Sequence, residues 1–204
     1  LTFLSDPRMQ SHLVNDGFSL TEAVRKNASV YLCVPPSQID RLKRWLRTLI
    51  RISLDAKMFG PKHVGQQTLF LLDEFPALGK MAEIEGSAAY MAGYGIKLVP
   101  VIQNIGQVKQ IYDKNWETFL GNAGGIIAWG LNDLESEKYV ADRLGNVLTS
   151  ETSVSTSENR QGLAWRPTSS TVGTSTALHE RPIRRPNEIH EEGARETKRA
   201  FVVP

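Results

Sequence analysis

Thr68-Leu69-Phe70-Leu71-Leu72-Asp73-Glu74-Phe75 is the stretch on which the reading of this chain turns. A short apolar run stops at two adjacent carboxylates. The run has the length and composition of a buried strand, so the acids emerge at its carboxyl end. In open α/β sheets ligands bind outside that edge. This is the chemistry of a Walker B element. Asp73 would hold Mg²⁺ through its water shell, and Glu74 would polarise the water that attacks a γ-phosphate. An Asp-Glu pair also suits a helix N-cap or a solvated turn, and Pro76 and Gly79 behind it would fit a turn.

The residues that follow add to the first reading. A small-residue-rich helical stretch covers 82–93. A second apolar run, Ile96-Lys97-Leu98-Val99-Pro100-Val101-Ile102, ends in Gln103. Two strands with a helix-length spacer make a βαβ unit, and its crossover sets the strands parallel. Both polar ends then lie on one sheet edge. Gln103 there can hydrogen-bond a γ-phosphate or the attacking water. By itself it would read as an N-cap or loop amide.

The motifs resemble those of the TraG-type coupling proteins of type IV secretion and conjugation. Leu71 to Gly79 (LLDEFPALG), Ala89 to Gly95 (AYMAGYG), Gln103 to Gln107 (QNIGQ) and Trp116 to Ala123 (WETFLGNA) carry the resemblance. It runs from about residue 29 to about 189, in the family's order. It implies a membrane-anchored, usually hexameric, ATP-driven RecA-like motor. Such a motor passes relaxase–DNA complexes or effector proteins to secretion-channel components at the cytoplasmic face of the bacterial inner membrane. The cofactors implied are ATP and Mg²⁺. Asp73 is then the metal residue, Glu74 and Gln103 are catalytic, and all three face the nucleotide.

A phosphate cradle is missing. A P-loop needs G-x-x-x-x-G-K-[ST], whose backbone amides hold phosphate while its Lys reaches the β/γ oxygens. Gly60-Pro61-Lys62-His63-Val64-Gly65-Gln66-Gln67 has the glycines but Gln66 and Gln67 in place of Lys and Ser/Thr. It also precedes a strand instead of following one, so it is rejected. In the family the P-loop and the membrane helices lie upstream, and this chain begins at Leu1. Residues 1–204 are therefore expected to be the C-terminal portion of a single RecA-like nucleotide-binding domain. That portion should be inactive alone and part of an ATPase in the full-length protein. The alternative is a docking scaffold of the same fold that has lost its P-loop.

Composition suits a globular piece of that kind. The 204 residues are 41% hydrophobic and 23% charged. A net charge of +2 gives no global argument for nucleic acid. No stretch is apolar over the length a bilayer requires. The single cysteine, Cys33, excludes an internal disulfide and reads as a buried thiol in a strand over 29–34.

The coarse order is alternating strands and helices, which indicates an α/β, doubly wound parallel sheet flanked by helices. The Cys33, Leu71, Val99 and Ile127 strands should share it. A long amphipathic helix to residue 59 carries Ile39, Leu42, Leu46, Leu49, Ile50 and Leu54 at three-four spacing. Its basic residues, Arg44, Arg47 and Arg51 among them, read as a solvated face rather than a DNA contact. The Ser/Thr-rich segment 147–178 has the composition of a linker or disordered stretch, yet its alternating β-branched and small residues also suit an exposed antiparallel hairpin. The resemblance implies a long hairpin there, and that reading is favoured, as an insertion with its tip at 158–166. Trp116 and Trp129 read as core anchors. Between Glu85 and Gln103 the only basic residue is Lys97, so any arginine finger must come from elsewhere. Arg181, Arg184 and Arg185 are candidates for a subunit interface.

Overall fold

The computed structural model describes residues 5, 7–14, 17–26, 28–59, 67–159 and 169–203. The rejected Gly60–Gln66 stretch and most of the hairpin tip lie outside them. Backbone contacts divide the chain into two compact units, residues 1–124 and 125–204.

In the first unit the helices α1 (Pro7–Val14), α2 (Leu20–Arg25) and α3 (Ile39–Phe59) precede the first strand. Ser19 caps α2 by accepting the Glu22 N–H. The three-four pattern of α3 buries Leu46, Ile50 and Leu54. Its basic residues lie largely on the outside, where Arg51 pairs with Asp55 and Glu83 and Lys43 pairs with Asp40. Strand β1 (Thr68–Leu72) runs parallel to β2 (Ile96–Pro100), with Thr68 opposite Ile96 and Leu72 opposite Pro100. Helix α4 (Ala82–Met91) makes the crossover, and Gly95 at φ +71° turns the chain into β2. Helices α5 (Ile105–Tyr112) and α6 (Trp116–Gly121) follow.

The β1–β2 pair has one covered face and one bare face. Leu69 and Leu71 are 63% and 62% exposed, and Val99 beside them is exposed too. Neither strand pairs with any other among the described residues.

In the second unit β3 (Ile126–Ala128) pairs antiparallel with β6 (Phe201–Val203). Helices α7 (Leu134–Leu144) and α8 (Pro186–Glu192) close over them. Ala128, Val140, Ala141, Ile189 and Val203 form the core. Asp133 caps α7 by accepting the Ser136 N–H at 2.9 Å. Strands β4 (Asn146–Asn159) and β5 (Ser169–Pro182) form an antiparallel ribbon whose register runs from Asn146↔Pro182 to Asn159↔Ser169. Alternation along the strands puts Leu148, Val154, Val172 and Leu178 on one face, all exposed. The other face carries Ser153 and Ser175, whose hydroxyls lie 2.8 Å apart.

Three expectations are corrected. Residues 28–35 form no strand, Cys33 is exposed, and Tyr31 beside it is 84% exposed. An apolar run becomes a strand only where a neighbour supplies hydrogen bonds, and no described strand does so here. The Ile127 strand does not join the parallel pair but takes β6 as an antiparallel partner. Trp129, expected in the core, is 56% exposed beyond the end of β3.

Candidate functional site

The carboxyl ends of β1 and β2 are tied together beyond their last paired residues. Val101 N–H donates to Leu72 O at 2.9 Å, and Phe75 N–H donates to Val101 O at 3.1 Å. Between these two bonds the chain must turn sharply through Asp73 and Glu74. Glu74 absorbs the turn with φ 51° and ψ 42°, in the left-handed region. That region crowds a Cβ against the carbonyl that follows, so it is rare for a side chain of this size. The neighbours hold it there. Asp73 Oδ1 accepts the Glu74 N–H at 3.1 Å. Phe75, only 1% exposed, opens a short 3-10 turn, Phe75–Leu78, and anchors it in the core.

The Phe75 anchor is an aromatic stack. Its ring lies 6.2 Å from Tyr112 and 5.5 Å from Phe119, and Tyr112 lies 4.9 Å from Phe119, all near parallel. Such offset stacking adds to the value of the buried area. Burial pushes the Tyr112 hydroxyl above its ordinary pKa, against the Met81 N–H that it accepts. It is therefore neutral at neutral pH.

Glu74 is half-buried, whereas Asp73 and Gln103 are exposed. Gln103 Nε2 lies 3.1 Å from Glu74 Oε1 and 3.0 Å from Oε2, so the amide donates to the carboxylate across the two strand ends. The structure thus brings all three sequence-predicted residues to one edge, with Glu74 and Gln103 in contact. Asp73 is open to solvent. Gln103 is held in turn: its N–H donates to Gln107 Oε1 at 3.2 Å. Asn104 caps α5 by accepting the Gln107 N–H at 3.0 Å. The contribution of Gln107 is absent from the sequence reading. Its signal was the Gln four residues after Gln103, which reads as an ordinary helix-cap side chain.

The donor set suits an oxygen-seeking Mg²⁺ that keeps most of its waters. Such an ion needs one or two carboxylates together with substrate phosphates. Among the described residues no group of three or more His, Cys, Asp or Glu could cage a metal alone. Elsewhere the basic candidates are engaged or turned outward. Arg184 Nε pairs with Glu192 at 3.0 Å, and Arg181 lies exposed on β5. No helix of the described residues is long and apolar enough to cross a membrane.

The chain is similar in sequence and in fold to known proteins. The chain is 30% identical over 163 residues to Protein VirD4 of Agrobacterium fabrum (strain C58 / ATCC 33970), covering 78% of this chain and 24% of that protein. It thus spans about a quarter of the length of that relative. The structure superposes on the unbound bacterial conjugative coupling protein TrwBdeltaN70 with a TM-score of 0.74 at 15% identity, covering 98% of this chain and 44% of that one. Plasmid coupling protein TrwB in complex with ADP and Mg²⁺ matches with a TM-score of 0.65 at 15% identity, over 92% of this chain and 41% of that one. These likenesses show the fold, an α/β, RecA-like arrangement of sheet and helices. Residues 1–196 match the family described as Type IV secretory system Conjugative DNA transfer, and the chain belongs to that family.

Proposed function

We propose that this chain is the later part of the ATP-driven motor of a type IV secretion or conjugation coupling protein, carrying its Walker B acids and sensor glutamine. One observation carries the reading: Gln103 meets Glu74 at 3.0 Å at the carboxyl end of two adjacent parallel strands. That edge is where α/β sheets place phosphates. A structure of TrwB, a protein of this fold, is in complex with ADP and Mg²⁺.

Each residue has a distinct task. Asp73, solvent-open, holds a water of the cation's shell. When bound, Mg²⁺ would supply positive charge that offsets the negative charge developing on the phosphates. Glu74 accepts a hydrogen bond from the attacking water and orients it in line with the γ-phosphorus. Its lone pairs allow this while Gln103 still donates to it. Gln103 reports the γ-phosphate to the β2 side of the edge. The phosphate cradle comes from residues outside this chain.

The bare face of β1–β2 and the exposed Val30, Tyr31 and Leu32 support a place within one larger RecA-like domain, with 147–178 as a hairpin insertion. In this reading the assembly is a hexamer at the cytoplasmic face of the bacterial inner membrane, anchored by upstream helices. It delivers a relaxase–DNA complex or effector proteins to channel components. The test is Glu74→Gln in the full-length protein. Turnover of ATP should fall about a hundred-fold or more while nucleotide still binds. Unchanged turnover in a folded variant would remove Glu74 from the chemistry. A full-length wild-type protein with no ATPase would favour a docking scaffold instead.

A further inference from the structure

We infer that Gln107 is a positioning residue for Gln103, and through it for Glu74; this rests on the motor reading above. In an ordinary capping box the side chain at the third helical position reaches back to the N–H of the N-cap residue. Here Asn104 is the N-cap and accepts the Gln107 N–H, which is the usual half of the box. The other half is displaced by one residue. Gln107 Oε1 takes the N–H of Gln103, not that of Asn104. The cap of α5 therefore reaches outside the helix and holds the backbone of the residue whose amide touches Glu74.

The same helix acts on the other side of the contact. Tyr112 at its last turn stacks against Phe75, the residue that follows Glu74. Helix α5 thus fixes Gln103 from its first turn and the Glu74 turn from its last. A glutamine at 107 supplies an acceptor of the right length without adding negative charge near bound phosphates. Met would keep the length and lose the acceptor. Glu would keep the acceptor and add the charge.

The experiment uses the full-length, ATP-hydrolysing protein. Gln107→Met should lower kcat about three- to ten-fold, the worth of one net hydrogen bond, with KM for Mg·ATP nearly unchanged. Gln107→Glu should restore kcat, because it keeps the acceptor, and should raise KM for Mg·ATP, because it adds charge. The Gln103 backbone amide should exchange with deuterium faster in the Met variant and at the wild-type rate in the Glu variant. In a Gln103→Ala background Gln107→Met should cost nothing more in kcat, because its effect passes through the Gln103 amide. An equal loss in both backgrounds would make Gln107 a helix cap only and would overturn the inference. If Gln103→Ala itself leaves kcat unaltered, the site reading fails first and takes this inference with it. If Gln103→Ala lowers kcat but Gln107→Met does not, only the inference fails.

Discussion

Glu74 sits at φ 51°, and replacing it with Gly and with Ala separates its backbone from its side chain. Both changes delete the same contact with Gln103, so their difference reports the backbone alone. In the left-handed region a Cβ costs about 1–2 kcal/mol, which Gly avoids. Gly carries an offsetting disadvantage of about 0.4–1 kcal/mol from the greater freedom of the unfolded chain. The Gly variant should therefore be more stable than the Ala variant by about 0.5–1 kcal/mol. At a position with ordinary φ the order is the reverse by a similar amount, so the sign decides. The assay is urea unfolding followed by tryptophan fluorescence, with Trp45 and Trp116 as reporters in the same unit. An Ala variant more stable than the Gly variant would show that the backbone at Glu74 is not strained. Both variants should be without ATPase activity in the full-length protein. A stability gained at the cost of function would mark the turn as one kept for its chemistry.

Two further expectations concern what supports the two units. Phe75→Ala removes one ring of a buried aromatic stack and should cost about 3–5 kcal/mol in denaturant unfolding; a cost under 1 kcal/mol would mean that the stack does not hold the Glu74 turn. Asp133→Ala removes the cap of α7 and should cost about 1 kcal/mol in the same assay, with Asp133→Ser recovering most of it.

What was legible in the sequence was local. The β1 run, the crossover and the β2 run lie within about thirty-five residues, and each strand announces its end with a polar side chain. The long helix was readable from apolar spacing alone, and the Asp133 and Asn104 caps have the side chains that caps need. The misreadings are non-local. The Cys33 run has the composition of a strand, but composition says nothing about whether a partner lies beside it. The direction of β3 was decided by β6, more than seventy residues later and beyond α7, the β4–β5 ribbon and α8. Trp129 was assigned by its size, yet the strand ends one residue before it. At the site, the positions of Asp73, Glu74 and Gln103 followed from topology. The left-handed turn at Glu74 had no warning, since glutamate carries no preference for it. The one-residue displacement of the Gln107 bond depends on the length of the loop after β2, and no motif records that.

The β4–β5 ribbon imposes an arithmetic on changes of its own length. Side chains switch faces at every step along a strand, so removing one residue from each strand would send Val154 and Val172 to the side opposite Leu148 and Leu178. Removing two from each shortens the ribbon by about 7 Å and leaves the four on a common side. Shortening or lengthening that preserves the ribbon's two-sided character therefore comes in blocks of four residues. Any other step exchanges its oily side for its serine side beyond the cut.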